Sequence, residues 1–142
     1  MIYIKFILME DTMKKIILFS YILLNLSIYA SEYRNGTYRG TFVSGQETQV
    51  EVQFNLKNDI VSKPKFRTLF YKGKDYLKTE ELKSEKERYQ SALDFTENKN
   101  IKEALEGLYT PENIPRAGAS VRATKIRAAM QNAINSGVYK PE

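Results

Sequence analysis

The sequence of 142 residues contains no cysteine, no histidine and no tryptophan. Without cysteine there is no disulfide, no thiolate nucleophile and no cysteine-ligated metal or iron–sulfur cluster. Without histidine there is no Ser-His-Asp triad, no ordinary zinc site and no imidazole to move protons near neutral pH. Most hydrolase chemistry is thereby excluded. What remains is chemistry by carboxylate, hydroxyl or lysine, or a function carried by a bound cofactor.

Long apolar runs are also scarce, and the single one lies near the start. Met13-Lys14-Lys15 opens a basic stretch, and Ile16 to Tyr29 follows as a run of about fourteen mostly apolar residues ending at Ala30-Ser31. A membrane span needs roughly 20 such residues. The layout is that of a secretory signal, so residues 1–30 are expected to be a signal peptide and residues 31–142 one exported domain. Glu10 and Asp11 precede the basic pair, which is wrong for such a basic stretch, so the true start is expected at Met13. An uncleaved N-terminal segment would be the only route to the membrane. No cysteine follows the apolar run, which excludes a lipoprotein anchor.

Lys and Arg number 22 against 17 Asp and Glu. The excess is spread along the chain, with no basic block interleaved with stacking aromatics, so nucleic acid is not an expected partner.

The first third of the exported part reads as strands. Tyr33 to Phe42 is rich in Tyr, Thr and Phe, with Tyr38, Gly40 and Phe42 on one face. Ser44-Gly45 signals a turn. Val50, Val52, Phe54 and Leu56 alternate with Gln49, Glu51, Gln53 and Asn55, predicting a half-buried strand with one wet face. Lys57-Asn58-Asp59 turns the chain. Ile60 to Phe66 continues as a third strand, with Pro64 at an edge or bulge and Thr68 to Tyr71 as its extension. Short turns between consecutive strands imply an antiparallel meander.

The remainder reads as helices. Ser84 to Glu87 has the form of a capping box, opening a helix to about Thr96 that buries Tyr89, Ala92, Leu93 and Phe95. Asn100 caps a shorter helix over Ile101 to Leu108, and Pro111 and Pro115 bracket an extended loop. Ala123, Ile126, Ala129, Met130, Ala133 and Ile134 form one apolar face of a last helix, Val121 to Ser136, about 24 Å long. Ser120 is its expected cap and Gly137 its terminator. Arg122, Lys125 and Arg127 fall away from the apolar stripe. The expected fold is α+β: an antiparallel sheet of three or more strands from the N-terminal half, packed by C-terminal helices.

Three groups of residues are candidates for chemistry. Glu80, Glu81, Glu85 and Glu87 lie among Lys78, Lys83, Lys86 and Arg88 and read as a solvated face with local ion pairs. Phe66, Phe70, Tyr71 and Tyr76 surround Lys72 to Asp75, either as core and loop or as a slot for a flat ring. Ala117-Gly118-Ala119-Ser120 is small and flexible, and it leads into a helix whose first amides and dipole attract phosphate, with Arg122 as a charged partner. The same stretch also reads as a plain close approach with a serine cap.

Asn35-Gly36-Thr37-Tyr38-Arg39-Gly40 has the form (D/N)-G-x-Y-x-G. A strand over Thr48 to Leu56, the Asn58-Asp59-Ile60 turn, Ala117 to Ser120 as a variant of S-G-A-T, and Ala129 to Ile134 as A-x-x-x-A-(I/L) follow in order. In these features the chain resembles the FMN-binding domain family, found in subunits of sodium-pumping and Rnf-type redox complexes and in small exported flavoproteins. Stretches around Phe70 to Leu77, Leu108 to Pro111 and Asn135 to Tyr139 resemble a subgroup of small exported members. The resemblance implies FMN at the loop-to-helix junction formed by Ala117, Gly118, Ala119, Ser120 and Arg122. It also implies an attachment through a phosphoester to the Ser120 hydroxyl, or non-covalent binding otherwise. Ala117 stands where the motif has Ser, and Ile114 where it has Asp. The implied function is extracytoplasmic electron transfer with a redox partner in the envelope, by a carrier without catalytic side chains of its own. The alternative is a non-redox envelope binding or interaction module with a degenerate flavin site.

Overall fold

Left-handed residues at the tight turns lay the N-terminal half out as a meander. The computed structural model describes residues 12–16, 30–118 and 120–141, except the side chain of Ser120. The chain divides into two units, Met1–Ser31 and Glu32–Glu142. In the first, residues 12–16 are helical. The apolar run read as a signal lies almost wholly outside the described residues. Among those described, no helix is long and apolar enough to cross a membrane.

In the second unit, β1 (Gly36–Ser44), β2 (Glu47–Lys57), β3 (Ile60–Tyr71) and β4 (Lys74–Asp75) form one antiparallel sheet in the order β1-β2-β3-β4. Gly45 takes φ 61° after β1, Asn58 and Asp59 take 52° and 64° after β2, and Lys72 and Gly73 take 50° and 77° after β3. Such backbone matches the twist of two-residue hairpins, which is why Gly, Asn and Asp sit there. Tyr38 pairs with Phe54 and Phe42 with Val50 across β1 and β2, while Val50 faces Leu69 on β3. One face of the sheet is therefore continuously apolar.

Pro64 is both at an edge and at a bulge. The register slips between Gln53 and Asn55, where Lys63 takes φ 51°, and β4 pairs only with Phe70 and Tyr71 further along. The missing proline amide thus falls where no ladder needs it. A second slip, between Phe42 and Val43, leaves Gln49 without a partner on β1. Gln49 was expected on the wet face, but it is buried.

The helices are α1 (Lys83–Asp94), α2 (Ile101–Gly107) and α3 (Ser120–Ser136). α1 buries Tyr89, Ala92 and Leu93. The capping box is not made. A 3-10 turn over Glu80–Leu82 runs straight into α1, and Leu82 occupies the cap without a side-chain bond. The Lys83 amide bonds to the Glu80 carbonyl, so the turn continues directly into the helix and Ser84 lies inside it rather than at its cap. Asn100 does cap α2, accepting from the Lys102 amide at 2.9 Å. The loop expected to be extended after Pro111 is instead a 3-10 turn over Pro111–Asn113 with proline at its first position, where a missing N–H costs nothing. Ser120 is the first helical residue of α3 rather than the residue before it.

All six residues of the predicted apolar face of α3 are buried, and Gly137 ends the helix with φ 79°. The helix lies on β1 at Gly40. A Cβ there would come within 2.0 Å of the Ala129 carbonyl oxygen and 2.3 Å of the Ala133 nitrogen. Gly40, Ala129 and Ala133 are small because backbone touches backbone. The tail then returns to β1, where the Tyr139 amide donates to the Thr37 carbonyl at 2.7 Å.

Candidate functional site

The first turn of α3 lines a cavity together with α1 and the hairpin ends of the sheet. The volume is about 430 Å³, within the range of small-molecule pockets. Each element contributes a distinct kind of side chain.

The sheet and α1 supply the rings. Phe42 comes from β1, Tyr71 from the end of β3, Tyr76 from just after β4, and Tyr89 from α1. Tyr89 is fixed edge-on between Phe66, at 6.3 Å, and Tyr76, at 5.9 Å. Burial pushes the hydroxyls of Tyr76 and Tyr89 above the usual tyrosine pKa. Both therefore stay neutral at physiological pH and can donate a hydrogen bond.

α3 supplies charge. Arg122 and Lys125 both line the cavity, as does Val121, which is 59 % exposed. Arg122 donates to Glu85 on α1, and Arg88 approaches the same carboxylate at 3.8 Å. The Arg122 guanidinium also lies 5.8 Å from the centre of the Tyr89 ring. Lys125 is only 8 % exposed. Its ammonium sits over the Tyr71 ring at 4.4 Å, with Phe42 at 6.0 Å. Burial draws its pKa below the usual lysine value, opposed by the Glu47 carboxylate.

Glu47 holds the hairpin floor. Its carboxylate accepts from the amides of Lys72 at 3.0 Å and Gly73 at 2.8 Å, and from Gln49 Nε2 at 3.0 Å. The Gly73 amide is the largest influence holding its pKa below the ordinary glutamate value, followed by Gln49.

Of the five residues singled out in the sequence, Arg122 lines this cavity and Gly118 lies against the Arg122 side chain. A Cβ on Gly118 would lie 2.7 Å from the Arg122 guanidinium, so the arginine folds back over the glycine. Gly118 takes φ 74° and Arg116 takes 65°, which gives the loop its sharp entry to α3. Ala117 is buried behind the loop rather than open to a ligand. Ala119 and the Ser120 side chain lie outside the described residues.

Other members of the site were anticipated only in part. Of the predicted aromatic slot, Tyr71 and Tyr76 line the cavity, while Phe66 packs against the core. Glu85, read as part of a solvated face, is the partner of Arg122. Lys125, read as lying off the buried face, is buried. Helical spacing carried a signal for it, because positions 121, 122 and 125 share one side of α3. Nothing in the sequence announced Tyr89 or Phe42 as more than core. Among the described residues, no group of three or more acidic side chains gathers as a metal site.

Compared with protein-family models, curated proteins and solved structures, the chain matches none.

Proposed function

We propose that this chain is an exported FMN-binding domain that serves as an electron carrier. The observation that carries the reading is the cavity. Aromatic rings line a space large enough for a flat ligand, and the start of a helix with two cations forms one side of it. The residues fit the group. Phe42, Tyr71, Tyr76 and Tyr89 offer apolar walls for a flat ring, and neutral tyrosine hydroxyls offer donors to its polar edge. The first turn of α3 and its cations favour a phosphate. Bound FMN supplies reversible electron transfer, which asks no acid, base or nucleophile of the protein. The chain's own part is to bind, orient and keep water from the ring. Ile114, which stands where the family has Asp, is only 5 % exposed, and its amide bonds to the Pro111 carbonyl at 3.0 Å. That position belongs to the core, which favours a reversibly held ligand over one attached through Ser120.

A second reading is an interaction module without flavin. Val121 and Tyr71 favour it, since both are exposed at the cavity. Protein purified from its own cell envelope separates the readings by absorption spectrum and intact mass. The flavin reading expects visible flavin bands, release of FMN on denaturation and an unmodified polypeptide mass. Colourless protein that fails to quench added FMN fluorescence would leave only the interaction module.

A further inference from the structure

The two cations of the cavity are in opposite states. Arg122 is engaged, since its guanidinium donates to Glu85 and Arg88 shares that carboxylate. Lys125 has no such partner. Among the described residues, no carboxylate lies within ion-pair distance of its ammonium and no acceptor takes a hydrogen bond from it. Glu47 acts on it electrostatically, but the Glu47 oxygens already serve the amides of Lys72, Gly73 and Gln49. What Lys125 touches instead are the faces of Tyr71 and Phe42. A ring face replaces only part of the hydration that an ammonium loses on burial.

Such a group at 8 % exposure needs a reason. Its ammonium is not sealed off: no fully enclosed side-chain nitrogen or oxygen among the described residues lacks a partner. It therefore keeps its opening to the cavity that it lines. Side chains on a helix lean toward its N-terminus. From position 125 the lysine leans back toward the turn of Val121 and Arg122, which line the same cavity. There the first amides of α3 have no helical acceptors, and the positive end of the dipole faces out. Buried cation and helix start thus line the same cavity.

We propose that Lys125 is the centre of an anion subsite in this cavity, which takes the phosphate monoester of a flat-ring ligand. The identity of the ring rests on the flavin reading; the anion subsite does not. A phosphate has three acceptor oxygens, enough to use the ammonium and the helix amides together. Arg122, tied to Glu85, forms the wall beside it.

FMN and riboflavin differ only in the phosphate, so they isolate the subsite. Wild type and Lys125→Met, each shown by circular dichroism to be folded, are titrated with both by fluorescence quenching at low salt. The expected result is that wild type prefers FMN over riboflavin by at least about 10-fold, the size of a good charge-assisted contact. Lys125→Met should lose that margin and keep riboflavin within about 3-fold of wild type. An FMN preference that survives in Lys125→Met, or a wild type that binds both flavins equally well, overturns the proposal. Inorganic phosphate, exchanged for chloride at constant ionic strength, gives a readout free of flavin. It should raise the Tm of wild type and not that of Lys125→Met. If wild type binds neither flavin but phosphate protects it through Lys125, the flavin reading falls and the subsite stands. Phosphate that protects both proteins equally, or neither, removes the subsite. Should Lys125→Met fail to fold, Lys125→Gln takes its place, and Lys125→Arg should retain the phosphate effect.

Discussion

The two ends of α3 meet the sheet in different ways. Toward its C-terminal end the helix rests on β1 backbone to backbone, at Gly40 against Ala129 and Ala133, and nothing fits between them. At its N-terminal end it stands away from the sheet, and the gap is the cavity lined by rings and by Arg122 and Lys125. One end is closed by small residues and the other is held open by large ones. The contrast assigns physical roles to the motifs that carry the family resemblance. Gly40 and the A-x-x-x-A stretch belong to the closed end. Tyr38, from the same motif, is buried, stacks on Phe54 at 5.8 Å and donates to the Arg34 carbonyl at 2.6 Å. These motifs specify how helix and sheet join. The cations of the cavity, Arg122 and Lys125, lie in none of them, whereas Tyr71 and Tyr76 come from the Phe70 to Leu77 stretch.

The largest expected effect breaks the closed end. Gly40→Ala places a Cβ against main-chain atoms of α3 that no rotamer can move aside. The helix must lift, and the cost should exceed about 3 kcal/mol, the upper range for overpacking a core. Gly118→Ala is the matched control at the open end. Its Cβ would meet the flexible end of Arg122, and its φ of 74° adds strain. A cost of about 1 kcal/mol is expected there. Urea denaturation of both variants checks the comparison. Equal losses would show that the two ends are packed alike.

This division also explains what the sequence disclosed. The alternation from Val50 to Leu56 and the three-four spacing from Ala123 to Ile134 are periodic, and periodicity is what burial against a neighbour imposes. Those elements, the Asn58-Asp59 turn and the Gly137 stop were therefore legible, and with them the α+β fold. The capping box at Ser84 misled because a helix start depends on where the preceding chain goes, and a 3-10 turn that runs straight into α1 leaves Ser84 inside the helix. Gln49 misled because a bulge breaks the two-residue period without leaving a mark in composition. In the site, Gly118 and Arg122 were legible from local chemistry at a helix start. Glu85 and Tyr89 were not, because their place beside Arg122 depends on how α1 packs against α3, and a separation of 37 positions between Glu85 and Arg122 carries no record of that contact.

A smaller effect sharpens the open end. Glu85 neutralises Arg122, whose side chain is 14 % exposed against 38 % for the carboxylate. Glu85→Gln should lower stability by no more than about 1 kcal/mol, since the acid is partly solvated. It should also release Arg122 to act beside Lys125 and raise phosphate or FMN affinity by roughly 3- to 10-fold at low salt, fading as salt screens the charge. Titrations at two ionic strengths read this out. Unchanged affinity would mean that the arginine's pairing has no bearing on anions in the cavity.

The smallest effect concerns the hairpin floor, where Glu47 joins the start of β2 to the Lys72-Gly73 turn. Its carboxylate is stabilised as the anion by the Gly73 amide first and the Gln49 side chain second, so its folded pKa lies below the unfolded one. In the interval between the two values the unfolded chain binds more protons, and stability rises with pH. The contribution is therefore present above about 4.3, the usual glutamate value, and is lost as the pH falls through the depressed folded value. Glu47→Gln removes this dependence while keeping an acceptor for one of the two turn amides. The Tm of the variant should fall slightly below wild type at neutral pH, and the difference should narrow as both are taken down through the acid range. Because Glu47 also opposes the lowering of the Lys125 pKa, the same variant should leave the ammonium somewhat easier to deprotonate. Titration of the lysine ε-carbon resonance of Lys125 by NMR would detect that. An acid limb identical to wild type would mean that the turn amides find equal partners in water, and that the open end of the sheet does not depend on this carboxylate.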